Sequence, residues 1–239
     1  MLKAYKIAGL TVEMDTFGKT QKQAEKFETE QTGAVDFTVS SDSVPFKRWE
    51  NSFTPESAEY VKTGIDFYNK LLKYDGMILH SSAVVLNGYA YLFTAASGTG
   101  KSTHTRLWCE NFDGAVILND DKPAMKLEKG TWYAYGTPWS GKTDLNLNLR
   151  VPIGGIAVLE RDALNSIERI GGKKAVYAVL NQTVRPSDEA MRMKVVELVS
   201  DLLGKVPVWL LKCNTENDAA VLSKEAMTAA RPEIISKDD

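Results

Sequence analysis

Ten residues constrain this chain more than any others: Thr94-Ala95-Ala96-Ser97-Gly98-Thr99-Gly100-Lys101-Ser102-Thr103. They follow an apolar run, Tyr89 to Phe93, and precede a helical pattern from Lys101 to about Phe112. Strand, glycine-rich loop and helix in that order are the setting a phosphate-binding loop needs. Gly98 and Gly100 let backbone N–H groups converge on one point, and a helix starting at Lys101 aims its positive end at the same place. Ser97, Gly98, Thr99, Gly100, Lys101, Ser102 and Thr103 are therefore the expected nucleotide-binding residues. Lys101 would reach the outer phosphates and the Ser102 hydroxyl would ligate Mg²⁺. The usual pattern opens with a glycine where this chain has Ala95. A glycine-rich turn without a ligand is the plain alternative, and the flanking strand and helix argue against it.

Two neighbouring segments bring chemistry to this loop. Met77 to Leu86 and Tyr89 to Thr94 are both strand-patterned, and Asn87-Gly88 between them is a preferred two-residue hairpin turn. Closed without a bulge, that turn pairs Leu86 with Tyr89, Val84 with Tyr91 and Ser82 with Phe93. Extrapolated, it sets His80 opposite Ala95 at the mouth of the loop. A lone histidine is usually structural or exposed, but the register makes a functional one equally reasonable here. Farther on, Ala115 to Asn119 reads as a short buried strand ending in Asp120-Asp121. Carboxylates at the carboxyl end of a strand beside the loop's own strand stand where Mg²⁺ and a catalytic base are needed. An exposed acidic turn is the alternative. Adjacent residues of a strand point to opposite sides, so the two aspartates are not expected to share one job.

The rest of the chain frames that constellation. At 239 residues it is read as a single α/β domain over 1–239, with a β-rich part at 1–52 and the loop-bearing core at 76–212. Tyr5 to Val12 and Ala34 to Val39 alternate like strands, while Lys19 to Thr32 is polar and reads as an exposed helix or loop. Thr54-Pro55 starts a helix whose buried stripe is expected at Val61, Ile65, Tyr68 and Leu72, ending near Asp75-Gly76. Met125 to Leu127 and Trp132 to Tyr135 suggest a second hairpin leading into an irregular loop, Gly136 to Lys142. There Trp139 could stack on a substrate ring and Lys142 could hold an outer phosphate; a packed structural loop is the competing reading. Gly155 to Glu160 reads as a central strand, Lys173 to Gln182 and Ser187 to Leu203 as helices, the second stopped by Gly204. Val206 to Lys212 is a late strand and Asp218 to Ala230 a final helix, before a frayed acidic end, Ser236 to Asp239. Leu107, Trp108, Cys109 and His104 on the loop's helix read as core.

Composition narrows the class. A net charge of −2 argues against a general nucleic-acid binder, because it would not neutralise many phosphates. Cys109 and Cys213 lie in apolar patterns as expected buried thiols of a reducing compartment, and with only His80 and His104 a structural zinc site is not expected. No apolar run approaches membrane-spanning length, so the expectation is a cytoplasmic enzyme-sized domain with no membrane partner.

Leu79 to Val84 with its histidine, Ala95 to Ser102, and Asn119-Asp120-Asp121 together resemble the HPr kinase/phosphorylase and phosphoenolpyruvate carboxykinase superfamily, in particular the HPr-kinase-related proteins that lack the kinase's N-terminal domain. The resemblance is specific over Gly76 to Leu127 and elsewhere follows only the order of elements. It implies a mixed-sheet α/β core and a Mg²⁺-dependent kinase. That kinase would move the terminal phosphoryl group of ATP, or another nucleotide, to a hydroxyl of a peptide, small protein or small metabolite. It implies that one aspartate takes the proton from the attacking hydroxyl while the other helps hold Mg²⁺. Asp120 is taken as the base and Asp121 as the metal-side carboxylate, the reverse staying open. His80 would lie near the transferred group, and because HPr kinases form closed oligomers a homo-oligomer is among the implications. A nucleotide-binding sensor or scaffold without transfer chemistry, or a phosphorylase using the same site, is the alternative. The chain departs from the family at Ala95, and it has no counterpart of the HPr kinase's second glycine-rich signature.

Overall fold

Alternating residues from Lys3 to Met14 fold as a hairpin in the computed structural model, which describes residues 2–30, 33–44 and 53–232. The run expected as one strand is two, β1 (Lys3–Ile7) and β2 (Leu10–Met14), turning through Ala8 at φ 52° and Gly9 at φ 78°. Alanine is a poor announcer of a left-handed turn residue, so the break does not show in the residue pattern. The polar stretch that follows is α1 (Gly18–Ala24) and a 3-10 turn, and it is more than a solvated face, because Thr20, Gln23, Ala24 and Phe27 are buried. A short strand, β3 (Phe37–Val39), pairs parallel with β2 and completes a three-stranded sheet.

Helix α2 (Pro55–Leu71) begins as expected: Pro55 is its first residue and the Thr54 hydroxyl accepts the Ser57 N–H at 3.2 Å. Its buried face is rotated from the expected stripe. Tyr68 and Leu72 of that stripe are buried, but Val61 and Ile65 stay half-buried while Tyr60, Thr63, Phe67 and Leu71 point inward. After a 3-10 turn the chain enters β4 (Gly76–Ile78) and then β5 (Ser81–Leu86). These were expected as one strand; they part at Leu79-His80 because each pairs with a different neighbour.

The remaining elements are β6 (Tyr89–Thr94), α3 (Lys101–Asn111), β7 (Val116–Asn119), β8 (Ala124–Glu128), β9 (Thr131–Tyr135), β10 (Arg150–Arg161), β11 (Ser166–Ile170), α4 (Gly172–Leu180), α5 (Glu189–Lys205), β12 (Val208–Cys213) and α6 (Asn217–Ala229). One mixed sheet runs β4-β8-β9-β10-β6-β5-β7, with β12 on the other side of β10 and β11 beyond it. The fold is thus mixed α/β. The β5–β6 hairpin keeps the expected register, Leu86 opposite Tyr89, Val84 opposite Tyr91 and Ser82 opposite Phe93. Strand β10 changes partners along its length, antiparallel to β9 at Arg150–Pro152, then parallel to β6 and β12. It does so at a bulge by Gly154-Gly155, where a Cβ would lie 2.7 Å from the Tyr91 ring on one side and 2.4 Å from the Trp209 ring on the other. Only glycine fits between those rings.

Strands β6, β10 and β12 run parallel, and β7 runs the same way because both it and β6 are antiparallel to β5. Their carboxyl ends, and the start of β5, therefore share one edge. That edge carries His80, the loop after Thr94, and Asp120-Asp121. Helix α5 buries Val195, Leu198, Val199 and Leu202 as expected, but Gly204 does not stop it. The helix runs to Lys205, the Val206 N–H bonds to the Leu202 carbonyl, and Pro207 ends it. Strand β11, with its exposed Glu168 and Arg169, is an element the apolar pattern does not reveal. Cys109 and Cys213 are free, half-buried thiols. Among the described residues no helix is long and apolar enough to cross a membrane. The acidic end at Ser236 to Asp239 lies outside the described residues.

Helices α3 and α6 meet at a buried polar knot. His104 Nε2 and Trp108 Nε1 both lie 2.9 Å from the Ser223 hydroxyl, which donates to the Ala220 carbonyl at 3.0 Å. With that proton so used, the neutral imidazole donates through Nε2. Burial holds the His104 pKa down at about 4. The unfolded chain takes this proton below about 6.5, the folded chain only near 4, so stability is lost as pH falls through that window. The full effect is on the order of 3 kcal/mol. Glu59, raised by burial to about 7, works in the opposite sense over an overlapping range. The difference in urea midpoint between wild type and His104→Leu isolates the histidine. That difference is expected to move in favour of the variant from pH 7 to pH 4.5, and a pH-independent difference would contradict the assignment.

Candidate active site

The loop from Ala95 to Gly100 lies between the end of β6 and the start of α3. Gly98 at φ 79° and Gly100 at φ 123° take the backbone conformations that turn N–H groups inward. Ala95, where a glycine is usual, is buried and is not among the described residues with positive φ, so alanine meets no backbone penalty there. No side chain caps α3, which leaves its first-turn N–H groups facing the loop. Lys101 is buried and its Nζ donates to the Ala95 carbonyl at 3.1 Å. Burial lowers its pKa, against the pull of Asp121 and Asp120. Ser102 is half-buried and Thr103 exposed on the first turn. One residue that sequence reasoning did not single out holds the loop from outside. Arg161, at the end of β10, donates from Nε to the Thr99 carbonyl at 3.0 Å and from Nη2 to the Gly98 carbonyl.

On the same edge the two aspartates have different surroundings. Asp120 is buried, with only hydroxyl partners: Ser82 donates to Oδ1 at 2.7 Å and Thr143 to Oδ2 at 2.8 Å. Ser82 in turn lies 2.7 Å from the Thr105 hydroxyl on α3. No basic side chain among the described residues comes within ion-pair distance of Asp120. Asp121 faces two, His80 Nε2 at 3.2 Å from Oδ1 and Lys122 Nζ at 2.5 Å from Oδ2. Burial alone would raise the Asp121 carboxyl, but the bond from His80 and the charge of Lys122 outweigh it and hold it at about 2. The turn that points the pair apart is fixed by Asn119, whose side-chain oxygen accepts the N–H groups of Asp121 at 3.0 Å and Lys122 at 2.8 Å.

His80 is also held from several directions. Its N–H donates to the Gln182 carbonyl at 2.7 Å, and its carbonyl accepts from the Thr94 hydroxyl at 2.8 Å. The Ser81 N–H donates to the Asp121 carbonyl at 3.0 Å, which locks histidine strand and aspartate turn together. The extrapolated register thus brings His80 to the expected edge, one residue past the last ladder pair, Ser81 with Thr94.

The loop from Gly136 to Lys142 closes over this turn. Its Gly141 takes φ 74°, and a Cβ there would lie 2.9 Å from the Asp121 Cβ. Trp139 is buried against Phe67 and Tyr68, with ring centroids 4.9 and 5.4 Å away, and donates to the Thr63 hydroxyl. Lys142 is exposed on the same loop. The N-terminal region, silent in sequence, clamps the loop: Gln23 donates to the Gly141 carbonyl at 3.2 Å and accepts the Ser140 N–H, while the Tyr60 hydroxyl accepts the Gly141 N–H at 3.0 Å.

An open cavity of about 610 Å³ lies against Ala96 to Thr99 and Arg161, and two others border these groups. One, of about 270 Å³, opens beside His80 and Lys122, walled by α2, Ile78, Trp139 and residues 181–184. Lys142 does not line it. The other, of about 570 Å³, lies across α3, between Thr99, Thr103 and Leu107 and the ends of β10 and β12.

No protein-family model matches the sequence, and no curated protein matches it. Among solved structures, the chain is similar to the Hpr(Ser) kinase/phosphatase from Coxiella burnetii at 15% identity, with a TM-score of 0.30. The match covers 52% of this chain and 94% of that one. A likeness of that size carries no functional weight.

Proposed function

We propose that this protein is a Mg²⁺-dependent kinase that transfers the terminal phosphoryl group of a nucleotide to a hydroxyl. The observation that carries the reading is the convergence, on one sheet edge, of a positive-φ glycine loop with Lys101 at an uncapped helix start and a His80–Asp121 pair beside a cavity. Phosphoryl transfer needs charge neutralisation and in-line placement more than covalent help, and these groups supply both. The β- and γ-phosphates would lie against the Ser97–Thr103 segment, taking the Lys101 ammonium from the Ala95 carbonyl. The nucleoside would lie in the larger cavity beyond Thr103.

The donor set suits Mg²⁺. The Ser102 hydroxyl and an aspartate are the hard oxygen ligands it prefers, and Asp120 is a buried carboxylate with no ion pair among the described residues. When bound, the ion would neutralise charge on the phosphate oxygens. That charge balance supports Asp120 on the metal side and Asp121 as the base, the reverse of the first assignment. Asp121 already has His80 and Lys122, and His80 lines the acceptor-side cavity. In the step itself the alcohol oxygen forms a bond to the γ-phosphorus, and Asp121, too weak a base to deprotonate the free alcohol, takes the proton late, as that bond makes it acidic. The bond from that phosphorus to the β,γ-bridging oxygen breaks, and the nucleoside diphosphate leaves with the electron pair. His80 positions the carboxylate, and Arg161 keeps the loop in register. The N-terminal region belongs to the same unit in this reading, because Gln23 on α1, with Tyr60 on α2, holds the loop over Asp121.

A binding module needs no base, which sets the sensor alternative apart. Purified protein with γ-labelled ATP and Mg²⁺ is expected to release phosphate slowly to water and faster with an acceptor. Tight nucleotide binding with no release of label in any condition would favour the sensor and end the kinase reading.

A further inference from the structure

The smaller cavity differs in chemistry from every other surface of the site. Most of its wall is aromatic and aliphatic, from Trp139, Tyr68, Tyr60, Val61 and Ile65, and Asn181, Gln182 and Thr183 add a polar stretch. Val61 and Ile65 are the ones that the expected helix stripe would have buried and the structure leaves half-exposed. Half-exposed aliphatic side chains over buried rings make a surface that gains by being covered. Among the described residues its charged lining is Lys122, with His80 as the titratable neighbour, and both are paired with Asp121. The volume, about 270 Å³, sits just below the range of about 300 to 1,000 Å³ typical of pockets for drug-sized ligands. That suits one ring or branched aliphatic group rather than a larger body. The wall is also anchored: Thr183 donates to the Ile78 carbonyl at 2.6 Å, and the Gln182 carbonyl holds the His80 N–H.

We infer that this cavity is the acceptor pocket, and that the acceptor is a hydroxyl compound carrying one ring-sized or branched apolar group. The apolar group seats between Trp139 and Ile65, which leaves the hydroxyl at the His80–Asp121 end. This rests on the kinase reading and adds the class of acceptor. Gly64 contributes by absence, since a Cβ there would lie 3.1 Å from the Trp139 ring and crowd the wall.

The test uses the whole protein and 2-phenylethanol as the probe. In ¹H–¹⁵N spectra the Trp139 indole N–H and the Gly64 amide are expected to shift on titration with 2-phenylethanol, and not with ethanol. The shifts should be lost in Ile65→Trp, or in Val61→Trp if the first variant fails to fold. With MgATP present, ³¹P spectra are expected to show 2-phenylethyl phosphate. Measured against each protein's own ATP hydrolysis, its yield should fall at least tenfold in Ile65→Trp. An N-acetyl-Phe-Ser-amide arm assigns the source: a tenfold preference for the peptide places the apolar group on a peptide, and the opposite preference places it on a small alcohol. Absence of the Trp139 shift overturns the apolar pocket. Shifts without 2-phenylethyl phosphate or phosphopeptide, in a protein that hydrolyses ATP, overturn its role as acceptor pocket. No turnover of ATP at all sinks the kinase reading instead and is distinguishable from both.

Discussion

Lys101→Met lowers phosphoryl transfer about a thousandfold and leaves the fold intact. Removing one preorganised charge from a phosphoryl-transfer site typically costs about 10²- to 10⁵-fold, because that charge meets what develops on the transferring oxygens. Lys101 has no competing structural duty. Among the described residues its Nζ bonds only to loop carbonyls, Ala95 at 3.1 Å and Ala96 at 3.5 Å, and its burial already disfavours the charged form. Methionine has nearly the same length and removes the buried ammonium, so the loss should fall on kcat and nucleotide affinity, not on stability. Initial rates with labelled ATP, with a thermal melt of each protein, check both halves. Transfer within fivefold of wild type would remove Lys101 from the chemistry. A collapse of the melt would mean the lysine is structural.

What the sequence discloses follows from how local each cause is. The β5–β6 register was legible because Asn87-Gly88 fixes a two-residue turn, after which every pairing is arithmetic. The loop was legible because positive φ at Gly98 and Gly100 needs glycine. The buried face of α2 was misjudged by about one position, since what selects it is the three-stranded sheet and Trp139, both distant in sequence. Gly204 misled because glycine is only one way to end a helix, and Pro207 does the work here. Arg161, Ser82, Thr143 and Gln23 reach the site by pairings of 38 residues or more for Ser82 and 63 for Arg161, or through the irregular loop. No short motif encodes such contacts. They are hydroxyls, an amide and an arginine of ordinary appearance, and only the fold shows which carboxylate or carbonyl they serve.

Exchanging the two aspartates for asparagine, one at a time, separates base from metal ligand. Asparagine keeps the shape and removes the charge. At position 121 it cannot accept a proton, so transfer at saturating Mg²⁺ should fall by about 10² to 10⁴, the usual contribution of a general base, with the Mg²⁺ requirement little changed. At position 120 the hydroxyls of Ser82 and Thr143 can each turn to accept from the new amide, so the fold should hold. Losing a hard anionic oxygen there should instead raise the Mg²⁺ concentration for half-maximal rate by about tenfold or more, with part of kcat regained at high Mg²⁺. A Mg²⁺ titration of the rate for each variant reads the two effects separately. If Asp120→Asn loses rate that no Mg²⁺ restores while Asp121→Asn shifts the Mg²⁺ dependence, Asp120 is the base. His80 would then act by shaping the metal-side carboxylate rather than by orienting the proton acceptor.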